Sequence, residues 1–149
     1  MPLRKFSNNF LITFIFIYSQ IYAEDFLYDF QILDVVDADT LRIEADYLPK
    51  PLQPSLLLRI YGIDTPEKGK RAKCAQEKTL SLEATKFVKQ YLGENKNTKI
   101  TIKKWDKYGG RVLGDVLIGD NSLSKILLDK GFAKPYFGDK KESWCGQID

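Results

Sequence analysis

The sequence contains no histidine. That removes serine–histidine and cysteine–histidine nucleophile pairs, a histidine general base and most zinc sites. A resident metal would have to be held mainly by oxygen, which favours Ca²⁺ or Mg²⁺. Cysteine is almost as scarce, with Cys74 and Cys145 the only two in 149 residues. No partner base is in view to activate either as a nucleophile. The apolar run Phe10 to Tyr18 is much shorter than the ~20 residues a spanning helix needs. A charge excess is missing as well: 23 Lys and Arg stand against 20 Asp and Glu.

Two of those cations, Arg4 and Lys5, precede the apolar run, and small Ala23 follows it before Glu24. This order reads as a secretory signal peptide over residues 1–23, with a mature domain over 24–149 that is secreted or periplasmic and free of the membrane. Without the leader, 21 cations face 20 acids, a net charge of +1. A nucleic-acid partner therefore has to be argued from where the cations cluster. Lys68, Lys70, Arg71 and Lys73 form one cluster, and Lys103 and Lys104 beside Lys107 form another; either alone reads as a solvated face. In an oxidising compartment a Cys74–Cys145 disulfide is expected in preference to two buried thiols, and on the chain-entropy estimate it stabilises by roughly 4 kcal/mol.

No repeat, low-complexity block or Gly/Ser-rich linker divides the rest, so one compact unit is expected. Tyr28 to Val36 and Leu41 to Ala45 read as strands around a turn at Asp37-Ala38-Asp39. From Leu56 to Ile63, alternation sets Leu56, Leu58 and Ile60 on one face and Leu57, Arg59 and Tyr61 on the other. Leu80, Ala84, Phe87, Val88 and Tyr91 follow helical spacing, with Glu77, Glu83, Lys86 and Lys89 on the wet side and Gly93 ending the run. Thr98 to Trp105 and Val112 to Ile118 read as further strands. Ser122 caps a second helix that Gly131 stops, and Asp139 to Ser143 suggests a short third. The pattern is α+β, mainly β: a five-stranded OB-fold barrel with two to three helices. Such a barrel also serves as a plain binding module, so fold alone does not give function.

Four short segments carry chemistry: Asp37-Ala38-Asp39-Thr40, Leu58-Arg59-Ile60, Asp64-Thr65-Pro66-Glu67 and Asp106-Lys107-Tyr108-Gly109-Gly110-Arg111. Phosphodiester cleavage needs an aligned nucleophile and positive charge around the phosphate oxygens. Asp39 and Asp64, with the Thr65 carbonyl, are candidate ligands of one Ca²⁺. Glu67, on a proline-stiffened segment, is the candidate base for a water. Arg59 and Arg111 offer planar donor forks to phosphate oxygens. Lys107, Tyr108 and Tyr136 are candidates for a terminal phosphate or a stacked base. Taken singly, each has an ordinary alternative as turn carboxylate, surface ion pair or packing aromatic.

In this order and spacing the four segments resemble the staphylococcal nuclease family from about Gln31 to Lys134. The resemblance implies an OB-fold, Ca²⁺-dependent phosphodiesterase acting on DNA and RNA, which cuts the P–O5′ bond and leaves 3′-phosphate ends. It implies Asp39, Asp64 and Thr65 as metal ligands and Arg59, Glu67 and Arg111 as the catalytic set. A monomer is expected. Three departures stand out: Ala38 replaces a frequent glycine where a positive-φ turn would be strained, Gly109-Gly110 lengthens the turn before Arg111 by one residue, and Lys134-Pro135-Tyr136 follows the tyrosine-bearing substrate segment only loosely. The competing readings are an inactive OB-fold module that binds single-stranded nucleic acid or peptide, and a disulfide-stabilised interaction domain that leaves the polar cluster unexplained.

Overall fold

The computed structural model describes residues 26–46, 49 and 55–146. The leader read over 1–23 lies outside the described residues. In chain order the elements are β1 (Leu27–Tyr28), β2 (Ile32–Asp37), β3 (Thr40–Glu44), β4 (Ser55–Ile60), β5 (Ile63–Asp64), a 3₁₀ turn (Gly69–Arg71), α1 (Ala75–Glu94), β6 (Thr98–Trp105), β7 (Arg111–Ile118), β8 (Asn121–Ser122), α2 (Leu123–Asp129) and β9 (Lys134–Pro135). The described residues are mostly β with two α-helices, an α+β arrangement. The expected short third helix does not form at 139–143: these residues are irregular, because this stretch is fixed by side-chain contacts described below rather than by a backbone ladder.

The main sheet runs β1-β6-β7-β4-β3-β2, with β8 also on β7, and β5 pairs with β9 apart from it. The hydrogen-bonded sheet is not closed, so the expected five-stranded barrel is not confirmed by its ladder. Its two ends, β1 and β2, are nevertheless successive stretches of chain separated by residues 29–31. All pairs within it are antiparallel except β4 with β7, where Leu57 to Ile60 lie beside Arg111 to Gly114 in parallel. That pairing brings segments far apart in sequence together.

Alternation in β4 is as the sequence predicts: Leu56, Leu58 and Ile60 are buried, while Leu57, Arg59 and Tyr61 are half-buried. Leu41, Ile43, Ile100 and Val116 join them in the core. Helix α1 covers this core with Ser81, Ala84, Val88 and Leu92 at three- and four-residue spacing, and also buries Glu77, which the sequence pattern places on the wet side. The helix runs one residue past Gly93 to Glu94. Ser122 caps α2 through Lys125 N. At the other end Gly131 has φ +73°, with Gly131 N donating to Leu128 O and Phe132 N to Leu127 O, the two bonds of a Schellman motif. A Cβ at Gly114 would stand 1.8 Å from Thr101 O, so only glycine lets β6 and β7 approach this closely.

Candidate functional site

The β2–β3 turn, the end of β4, the stretch from β5 to Glu67 and the β6–β7 turn open onto one cleft of about 750 Å³. Asp39, Arg59, Thr65, Glu67, Lys107, Tyr108, Arg111 and Tyr136 all line it. Asp64 lies just beneath, with 4% of its surface exposed, and is tied to the cleft through Arg59. The cleft wall carries Arg59, Arg71, Lys104, Lys107, Arg111 and Lys141 against Asp37, Asp39, Glu67 and Asp106. A chain close to neutral overall therefore concentrates cations where they would meet an anion.

One guanidinium gathers the two aspartates: Arg59 Nη1 is 2.8 Å from Asp39 Oδ1 and Nη2 is 3.6 Å from Asp64 Oδ1. Asp39 also accepts from Thr40 Oγ1 at 2.9 Å and, through Oδ2, from Thr65 N at 3.3 Å. The turn that presents it needs no left-handed residue, since no non-glycine residue among those described has positive φ; Ala38 fits without the strain expected of it. Three oxygen-bearing residues, Asp39, Asp64 and Thr65, thus meet in a place where each is 3–4% exposed.

Glu67 is held at both oxygens, by Arg71 Nε at 3.0 Å and by Lys141 Nζ at 3.2 Å. Its backbone N–H donates to Glu77 Oε1 at 3.2 Å, while Glu77 Oε2 accepts from Lys73 N at 2.7 Å. Burial of Glu77 therefore anchors the segment carrying Glu67. On the opposite wall, Gly110 at φ +72° absorbs the extra turn residue, and Arg111 faces the cleft. Arg111 Nη2 pairs with Asp106 Oδ2 at 2.5 Å and its guanidinium lies 4.7 Å from the centre of the Tyr108 ring. Lys107 Nζ is 5.2 Å from that ring, and Tyr136 N donates to Gly62 O at 2.9 Å.

A family model described as Staphylococcal nuclease homologue matches residues 57–145. The chain belongs to that family. The nuclease match spans Arg59, Asp64, Thr65, Glu67, Arg111 and both cysteines, whereas Asp39 lies before it and joins the cluster through Arg59 and Thr65. No curated protein matches the chain. Membership in a nuclease family implies nucleic acid as the substrate class. Among the described residues no helix is long and apolar enough to cross a membrane.

Sequence reasoning missed four residues that shape this nuclease-family cleft. Glu77 follows Cys74 by three positions, and the spacing is that of a capping box: Cys74 Sγ accepts from Glu77 N at 3.4 Å while the carboxylate turns back to Lys73 N and Glu67 N. Reading cysteine as a cap would have exposed that role. Arg71, seen only as part of a basic cluster, bridges Glu67 and Asp37. Lys141 falls in a stretch whose pattern suggests only a short helix and Trp144 lies beyond it; they reach Asp64 because Cys145 is joined to Cys74, 71 positions away, at the head of α1. Burial alone would lower the Lys141 ammonium, but hydrogen bonding and charge from Asp64 and Glu67 outweigh it and hold it above the ordinary lysine value.

Proposed function

We propose that this protein is an exported, Ca²⁺-dependent nuclease that hydrolyses phosphodiester bonds of DNA and RNA and leaves 3′-phosphate ends. The carrying observation is convergence: Arg59, Glu67 and Arg111, from β4, the loop after β5 and β7, line one cleft beside Asp39 and Thr65. The proximity of β1 and β2 supports reading them as one interrupted first strand of an OB-type barrel, whose groove admits a single strand.

The donor set fits a hard cation. Its members offer oxygen only, and buried Asp64 Oδ1 is met by nothing but positive charge, from Lys141 and Arg59, so the place already favours a cation. Among the described residues the only group of three close cysteine or acidic side chains is Cys74, Glu77 and Cys145, whose thiols are consumed by the disulfide, so the Asp39 and Asp64 pair is the better candidate. Asp39, Asp64 and the Thr65 carbonyl would hold Ca²⁺, which supplies positive charge to a phosphate oxygen. Arg59 and Arg111 grip the phosphate with planar forks, exchanging their present carboxylate partners for it. Glu67 orients a water and takes its proton, with the Glu77 bond fixing its backbone. Lys107, Tyr108 and Tyr136 offer charge and ring faces to the rest of the strand.

One observation favours the inactive binding module: Arg59, Glu67 and Arg111 each already have a partner of opposite charge. A single experiment separates the readings. Labelled single-stranded DNA is incubated with the protein in Ca²⁺, Mg²⁺ or EDTA and the product ends are analysed. Cleavage in Ca²⁺ to 3′-phosphate ends, abolished by EDTA and lowered at least about a hundredfold in Arg59→Ala and Glu67→Gln with folding intact, is expected. Unchanged turnover in both variants removes the assignment, and tight binding without cleavage in millimolar Ca²⁺ establishes the module instead.

A further inference from the structure

The segment after β9 crosses the site as a strap tied at both ends. At one end β9 pairs with β5 and Tyr136 N donates to Gly62 O. At the other, Cys145 is joined to Cys74 and Gly146 N donates to Gln76 Oε1 at 3.1 Å. Between these ties the strap touches Asp64 twice: Trp144 Nε1 donates to Oδ2 at 3.3 Å, and Lys141 Nζ lies 2.6 Å from Oδ1 and 3.2 Å from Glu67 Oε1. Buried Oδ1 is thus served by cationic side chains alone, Lys141 being the nearer.

We propose that Lys141 is an internal cation that competes with Ca²⁺ for Asp64, so that the strap determines how tightly the site holds a divalent ion. This rests on reading Asp64 as a metal ligand. A nearly buried carboxylate oxygen cannot serve an ammonium at 2.6 Å and a divalent cation together, because like charges in such a confined, partly desolvated space repel strongly. The other charges facing Asp64 and Glu67 are Arg59, whose Nη2 is 3.6 Å from the same Oδ1, and Arg71 on the far oxygen of Glu67. Arg59 already divides its fork between Asp39 and Asp64, whereas Lys141 is a point charge on a flexible, partly exposed stem that also passes near the Tyr136 ring, its Nζ 5.6 Å from the ring centre. Lys141 is therefore the group that can withdraw. Lys141 is in this sense a residue that positions Asp64 and Glu67 in the metal-free site and sets cation affinity.

Calorimetric titration of the purified protein with Ca²⁺, without nucleic acid, tests this directly. Lys141→Gln is expected to bind Ca²⁺ about tenfold more tightly than the native protein. Lys141→Arg should stay close to native, and Lys140→Gln, which removes a neighbouring exposed charge, should change little. Circular dichroism checks that each variant is folded, and Lys141→Met replaces Lys141→Gln if the latter is not. Native affinity in both Lys141→Gln and Lys141→Met, weaker binding in either, or an equal gain in Lys140→Gln overturns the competition while leaving the nuclease reading intact. If the native protein neither binds Ca²⁺ nor cleaves DNA in its presence, the site reading itself falls, and the competition falls with it.

Discussion

Asp115 shows how a single carboxyl can be placed against its own preference. It projects from β7 toward α2, where Oδ1 accepts from Val116 N at 2.8 Å and from Ser124 N at 3.2 Å and Oδ2 accepts from the Ser124 hydroxyl. Burial, the largest influence, pushes its carboxyl above the ordinary aspartate value of 3.8, and the hydrogen bonds recover only part of that. Because the folded state holds the proton more firmly than the unfolded chain, this group favours folding most at low pH and loses that contribution as pH rises from about 3.8 through the raised value. Asp115→Asn keeps the geometry without the charge. Its denaturation midpoint at pH 7 is expected to equal or exceed that of the native protein, with the difference vanishing near pH 3; a variant clearly weaker at pH 7 would contradict the burial argument.

Between elements, the tightest constraint is the crossing of β6 and β7. Gly114 lies on β7 where an added Cβ would meet Thr101 O and Leu58 Cδ1 at 3.1 Å, and backbone on that side cannot retreat without breaking the ladder. Gly114→Ala is expected to cost at least about 3 kcal/mol in chemical denaturation. Gly109→Ala, in the neighbouring turn with open space around it, should stay within about 0.5 kcal/mol. The strands themselves were legible in the sequence because β-periodicity reports which face is buried: Leu56, Leu58 and Ile60 against Arg59 gave both the strand and the direction of the arginine. Helix α1 was legible through Ala84 and Val88 but not through Glu77, since a buried carboxylate depends on two backbone N–H groups outside the helix that no helical pattern can register. The segment around Lys141 was illegible for a related reason. Its helix-like composition at 139–143 gave way to tertiary ties, namely β9, Trp144 on Asp64 and the cysteine bridge.

At the scale of the whole molecule, one long covalent loop and one parallel strand pair hold the distant halves of the chain together. The Cys74–Cys145 bridge encloses α1, β6, β7 and α2. Replacing both cysteines by serine is expected to lower stability by about 2–5 kcal/mol, read as a shift of the thermal or denaturant midpoint, and a midpoint unchanged from native would show that the bridge constrains nothing. The ordering and spacing of the four motifs made their gathering readable in advance, through the family that they resemble, and the cleft does bring them together. How they are gathered was not readable, because it depends on β4 lying parallel to β7, a pairing for which local pattern gives no sign.

That parallel pairing also governs when the cleft can exist. Arg59 comes beside the start of β7 only through this pairing, and Asp64 meets Trp144 only after β9, so a growing polypeptide halted before β7 lacks the wall that carries Arg111. Only a chain made through Cys145 can therefore assemble every wall of the groove.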